Sequence, residues 1–214
     1  MRQTNLSSLT LTGLIGLVGS AIMGCNAEQS KTTTAVTPIN STARASDADQ
    51  PLVDRVEYVN WSHFPLGTSI TLVRETKSEV DKVIVTTISR LAEISDDKVV
   101  IETQITVDRG KEPLRNPPMT IEYPANFRLP LNMDASIFAL PAQNAKATGE
   151  ESIQFEGKDY QAVIYSWTGS SEAGPTKNKM WFSNEIPGRL LRHEMSCKAF
   201  TSLESITAIE IPKT

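Results

Sequence analysis

The feature that most constrains this chain is a run in which Val99, Ile101, Thr103, Ile105 and Val107 alternate with Lys98, Val100, Glu102, Gln104 and Thr106. A period of two with one apolar side is the signature of a half-buried antiparallel strand, because successive side chains point to opposite faces. Upstream, Thr71 and Val73 alternate with Ile70 and Leu72, and Val83 to Leu91 is a β-branched run. Ser95-Asp96-Asp97 separates the two long runs and reads as a tight hairpin turn, since short polar side chains stabilise turns through their own backbone.

The pattern returns later. Strands are expected over Ser152–Glu156, Asp159–Trp167, Lys179–Glu185, Arg189–Phe200 and Ser205–Ile211. Gly157-Lys158 suits a type II′ hairpin with Gly at its first central position. Pro187-Gly188 suits a type II turn, where Gly supplies φ > 0. Between residues 109 and 148 stand Pro113, Pro117, Pro118, Pro124, Pro130 and Pro141. Each removes a backbone donor, so only short edge strands near Met119–Tyr123 and Phe127–Leu131, or a lid or rim loop, are expected there. Leu52, Val53, Val56 and Val59 fall near helical spacing behind Pro51, which favours a short amphipathic helix within residues 51–64 over a strand across Val56–Trp61. The expected fold is mainly β: a curved antiparallel meander of roughly nine strands, or a half-barrel, with one short N-terminal helix.

The start of the chain has a different character. Arg2 precedes an apolar stretch over Leu9–Met23 that is too short to span a hydrocarbon core. It fits a secretory signal. Its close, Ile22-Met23-Gly24-Cys25, resembles the lipobox of bacterial lipoproteins. That resemblance implies cleavage after residue 24 and a diacylglyceryl thioether on Cys25, a membrane anchor with acyl chains such as palmitate. The alternative is an ordinary signal peptide with an incidental cysteine. Residues 25–50 are rich in Ser, Thr and Ala and hold no aromatic side chain, so they read as a disordered tether reaching tens of ångströms. The expected organisation is a signal peptide over 1–24, a tether over 25–50 and a single β-rich domain over 51–214. The expected location is the cell envelope, with the domain in the periplasm or at the cell surface.

Composition excludes several classes. The formal net charge is −4 and no basic cluster stands out, which argues against nucleic-acid binding. With two cysteines, two histidines and no CxxC, no metal site is expected. No GxSxG elbow or HExxH occurs. Glu150-Glu151 and Asp96-Asp97 are adjacent carboxylates, but both pairs read as turns that solvate charge. No cofactor is implied. If Cys25 is lipidated, Cys197 has no partner in the chain.

A few residues merit weighing. Leu191, His193, Met195 and Cys197 fall on one face of a strand by simple alternation, with Arg192, Glu194 and Lys198 on the other. His193 and Cys197 then sit about 13 Å apart, too far for a direct pair. His193 is either a polar group fixing a ligand in an apolar cavity or a core or edge histidine bonded to backbone. His63, beside Trp61 and Phe64, is either part of an aromatic-rimmed entrance or the end of a helix packed on the sheet. Tyr160, Ala162 and Ile164 face one way, and Val163, Tyr165 and Trp167 the other. A strand apolar on both faces is covered twice, by a helix, a second sheet or a ligand. The candidate cavity-lining residues are Tyr160, Ile164, His193 and Met195.

The segments WSHFPLGTSITLVRETKSEV and ISRLAEISDDKVVIETQITV, with Glu151 to Lys158, Lys179 to Ser183 and Ile186-Pro187-Gly188, resemble uncharacterised secreted proteins of Planctomycetes and related bacteria. The resemblance covers most of residues 57–211 and implies no activity. More loosely, a lipoprotein with a short helix and a curved antiparallel sheet resembles the periplasmic lipoprotein carriers, whose half-barrels hold acyl chains. Three functions follow as expectations. The first is a non-enzymatic, membrane-anchored envelope lipoprotein that binds a hydrophobic ligand. The second is a structural or adaptor module that binds a protein partner and has no cavity. The third is a hydrolase with an unrecognised site.

Overall fold

The computed structural model describes residues 50–130 and 132–213. Cys25, the apolar leader and all but the last residue of the expected tether lie outside the described residues. In chain order the elements are β1 (Leu52–Asp54), α1 (Val56–Trp61), β2 (Ser69–Ser78), β3 (Lys82–Ile94), β4 (Lys98–Asp108), β5 (Leu114–Arg115), β6 (Met119–Pro124) and β7 (Asn126–Arg128). A 3-10 turn over Ala135–Ala139 leads to β8 (Lys146–Phe155), β9 (Lys158–Ser171), β10 (Gly174–Phe182), β11 (Leu190–Ser196) and β12 (Phe200–Glu210). The architecture is mainly β and antiparallel with one short helix, as its alternating pattern requires.

Ten strands form one open sheet in the order β5-β4-β3-β2-β12-β11-β10-β9-β8, with β6 also on β4. Two hairpin meanders, β2 to β4 and β8 to β12, meet where the first and last long strands pair. The two outer edges, at β4–β6 and at β8, are joined through residues 125–145. β1 and β7 make a separate two-stranded ribbon. The ladder shifts register at Leu91/Glu93, Ala147/Gly149, Trp181/Phe182 and Ile206/Ala208. Such bulges bend a strand and increase its twist.

Several boundaries differ from the sequence reading. Leu52–Asp54 pairs with Asn126–Arg128 as a strand, so the helix is confined to Val56–Trp61. The expected strand over Arg189–Phe200 breaks at Cys197–Ala199, where the Cys197 N–H bonds Phe200 O and the Ala199 N–H donates to Cys197 Sγ. The hairpin after β8 has Glu156 and Gly157 at its centre, with φ of 50° and 79°. Positive φ at both positions makes it type I′ rather than II′, the form whose twist matches its strands. Glu150 and Glu151 lie within β8, not in a turn.

A helix of six residues gains little from its own hydrogen bonds, so packing must hold it. Trp61 is buried in the main core with Ile70, Leu91, Ile101, Trp181 and Ile186. Asn60, also buried, ties α1 to the turn before β11: its amide donates to Ile186 O at 3.0 Å and Asn184 O at 3.3 Å, and its Oδ1 accepts from the Gly188 N–H at 2.7 Å. Gly188 sits at φ 73°, and a Cβ there would lie 3.5 Å from the Trp61 ring.

Asn60→Leu keeps the side-chain volume but orphans the Gly188 N–H and two carbonyls. Each unsatisfied buried group costs roughly 1–3 kcal/mol, so the variant is expected to lose about 2–3 kcal/mol in urea unfolding. A loss below about 0.5 kcal/mol would show that the turn keeps its bonds without Asn60.

Candidate functional site

Residues opposite one another in an antiparallel ladder share a face, so the register sorts the side chains of β9 to β12. Ile164, Trp181 and Arg192 form one row. Trp181 is 2 % exposed, its Nε1 donates to Glu151 Oε2 at 2.7 Å, and the Arg192 guanidinium lies 4.9 Å from its ring centroid. Tyr165, Met180, His193 and Glu204 form the adjacent row and point the other way. Trp167, Asn178, Met195 and Ser202 form the next row on that second face.

The four residues singled out in the sequence are therefore divided. Tyr160 and Ile164 belong to the filled core, each 8 % exposed. His193 and Met195 lie on the opposite face. The register puts Ile164 beside Trp181 and Tyr165 beside Met180 and His193, and the bulge between Leu190 and Arg192 breaks the alternation within β11, so Leu191 is buried in the core while His193 pairs with Met180. Cys197 stands in the turn beyond the strand and carries a free thiol. His63 follows the last residue of α1 and is exposed.

The His193 face holds a continuous set of half-buried apolar side chains: Val163, Tyr165, Trp167, Met180, Phe182 and Met195. Tyr165 and Phe182 rings lie 5.9 Å apart, and the Trp167 and His193 rings stack at 5.8 Å with planes 16° apart. At one end, Val163, Tyr165, Phe182 and Arg189 line an open groove of about 280 Å³. Arg189 covers the Phe182 ring at 5.0 Å, and its Nε donates to Asn184 Oδ1 at 3.0 Å.

At the other end the polar groups converge. His193 Nε2 is 3.2 Å from Asn178 Oδ1, an atom that only accepts, so Nε2 carries the proton. Asn178 Nδ2 donates to Thr176 Oγ1 at 3.0 Å. The remaining ring nitrogen, Nδ1, then presents a lone pair to Glu204 Oε2 at 3.9 Å. Arg74 pairs with Glu204 in the β2–β12 ladder but makes no ion pair within 4.0 Å among the described residues. Burial, reinforced by the Arg74 charge, pulls His193 down to about 4, so the ring is neutral at physiological pH. Burial raises the Glu204 carboxyl, against the pull of Arg74. An apolar, aromatic face with a few convergent polar groups is the usual composition of a small-molecule binding surface. Among the described residues no cluster of His, Cys, Asp and Glu could hold a metal.

No protein-family model matches the sequence, and no curated protein matches it. Solved structures that match the chain include the Mycobacterium tuberculosis lipoprotein LppX, at 11 % identity and TM-score 0.35 over 74 % of this chain and 93 % of that one. LprF from Mycobacterium bovis is 12 % identical with TM-score 0.31 over 75 % and 94 % of the two chains. A putative outer membrane lipoprotein-sorting protein domain from Vibrio parahaemolyticus is 10 % identical with TM-score 0.23 over 72 % and 89 %. At these scores the site rests on its own geometry.

A histidine whose folded pKa lies near 4, below its unfolded value of about 6.5, makes the unfolded state bind the proton first. Its contribution to stability is intact above pH 6.5 and is lost as pH falls through about 4. Glu204, with its folded pKa raised, acts in the opposite sense on acidification. Comparison with His193→Gln separates the two. The stability of the natural chain relative to that variant, from urea midpoints, should fall steadily between pH 7 and pH 4. A difference that stays flat would contradict a neutral, buried His193.

Proposed function

We propose that this chain is a lipid-anchored, non-catalytic protein of the bacterial cell envelope that holds an acyl ligand on the His193 face of its sheet. The observation that carries the reading is the set Tyr165, Trp167, Met180, Phe182, His193 and Met195, half-buried on one face of three neighbouring strands. Each CH₂ removed from water contributes about 0.8 kcal/mol, so a modest length of chain lying across these strands offsets the cost of immobilising it. Met side chains adapt to irregular apolar partners, and flat aromatic rings offer area at little entropic cost. Neutral His193, tied to Asn178, orders the polar end of the face without presenting a buried charge to a hydrocarbon. The lipobox resemblance at Cys25 supports a position beside the membrane from which such a ligand would come.

Native mass spectrometry of the full chain is expected to show a lipid-mass adduct beyond the covalent anchor. Met180→Glu, which sets a charge in the middle of the face, should reduce that adduct at least tenfold, by the cost of burying an unpaired charge. Leu114→Glu, at a side chain 66 % exposed, should leave it intact. A chain that carries no adduct after incubation with envelope lipids, yet crosslinks to one protein through the same face, would replace this reading with the adaptor reading.

The anchor has its own test. Cys25→Ser should abolish palmitate labelling of the chain, whereas Cys197→Ser should leave it unchanged. Labelling that survives loss of Cys25 would remove the lipoprotein assignment.

A further inference from the structure

The opposite face of the sheet carries a second groove, of about 390 Å³, where β2, β12, β11 and β10 run side by side. The register lays out its floor in two rows. One runs Lys77, Thr201, Ser196, Lys177 across the four strands, and the other Glu75, Leu203, Glu194, Lys179. Three strand spacings separate Lys77 from Lys177, about 14 Å before side-chain reach is added.

The two carboxylates are already engaged. Glu75 is paired with both Lys77 and Lys82, and Glu194 with Arg192. Lys177 has no hydrogen bond or ion pair among the described residues, and neither do the hydroxyls of Ser196 and Thr201. Lys179 rests over the Trp181 ring at 4.4 Å, and its charge is uncompensated by any anion among the described residues. Leu203 lies between the two carboxylates in its row and is 43 % exposed. The groove thus offers a cation without a partner, a second cation held only by a ring, two free hydroxyls beside them and an exposed apolar side chain.

We propose that this groove binds a phosphate group, with Lys177 and Lys179 as its cations, Ser196 and Thr201 as hydroxyl donors, and Leu203 in contact with whatever apolar part adjoins the phosphate. Ammonium and hydroxyl donors on one side of a groove match phosphate oxygens, which accept several hydrogen bonds at once. Carboxylates that hold their own lysines and arginine do not oppose an incoming anion as free ones would. Asn178, Met195 and Ser202, which the register assigns to the His193 face, also border the groove, but the lysines and hydroxyls proposed to hold phosphate belong to the alternate rows, so neither reading depends on the other.

The test uses the full ¹⁵N-labelled chain in a neutral maltoside detergent, titrated with inorganic phosphate and, separately, with dihexanoyl phosphatidate. Amide shifts should concentrate at residues 177, 179, 196, 201 and 203. Saturation by both ligands at similar concentrations supports a site for free phosphate; saturation by phosphatidate alone supports a lipid headgroup with its apolar part on Leu203. Lys177→Ala should weaken binding about tenfold, the order expected for one hydrogen bond to a charged group. Lys158→Ala, at a lysine paired with Glu185 on another part of the sheet, should not. Shifts scattered over lysines generally, no shifts in the groove, or unchanged affinity in Lys177→Ala would overturn the proposal.

Discussion

The ladder between β2 and β12 is the contact on which the rest of this structure depends. It joins the first long strand to the last, from Ser69↔Glu210 to Phe200↔Ser78, and without it the sheet falls into two separate meanders. Each meander is built from local hairpins that form quickly. The ladder that unites them closes a loop of well over a hundred residues and carries the entropic penalty of that closure. Its side-chain pairs offset it: Ile70 faces Ile209, Leu72 faces Ile206, and Thr76 Oγ1 bonds Ser202 Oγ at 3.0 Å. Asn60 and Trp61 add a second tie, from α1 to the turn that starts β11. Both candidate sites are laid across this junction. Arg74 and Glu204 come from opposite sides of it on one face, as do Lys77 and Thr201 on the other.

What the chain disclosed in advance was local. Alternation from Lys98 to Val107 marks β4 almost to the residue, because that strand is straight through its middle and pairs on both sides. The turns at Ser95-Asp96-Asp97 and Pro187-Gly188 were readable for the same reason, since their conformation is set by the residues within them. Errors arose where a distant partner decides. Leu52–Asp54 looks helical by spacing, yet it pairs with Asn126–Arg128, a strand more than seventy residues later. The strand through His193 looked continuous to Phe200 because Cys197-Lys198-Ala199 contains neither Gly nor Pro, and the turn is held instead by the Cys197 N–H and sulfur.

The candidate site was half visible for a related reason. Parity places Leu191, His193 and Met195 together, and a single bulge opposite Trp181 moves Leu191 away from the other two. A bulge has no dependable mark in a single sequence; it appears only when two strands are laid side by side. The better signal was β9, with Tyr160, Ala162 and Ile164 on one side and Val163, Tyr165 and Trp167 on the other. The first set is buried and the second is half-buried. The second face is therefore the place where apolar surface exceeds what the protein itself covers. Asn178, Glu204 and Arg74 could not be attached to it without the register, since they come from three different strands.

The electrostatics of that face bear on what can rest there. A protonated histidine beside an ionised Glu204 would form a strong pair and attract water into the face. Burial works against both charges at once, holding His193 neutral and favouring the neutral carboxyl of Glu204. Arg74 opposes the trend at Glu204, whereas at His193 burial and the Arg74 charge act together, so a hydrocarbon laid over the cluster would drive His193 further toward its neutral form. An apolar ligand and the neutral forms of these two side chains are thus mutually stabilising, whereas a charged ligand would favour ionisation and hydration. The lysines and free hydroxyls suited to an anion stand on the other side of the sheet. Across β10 to β12, strand alternation keeps the two sets of groups apart: Asn178, His193 and Glu204 point one way, and Lys177, Lys179, Ser196 and Thr201 the other.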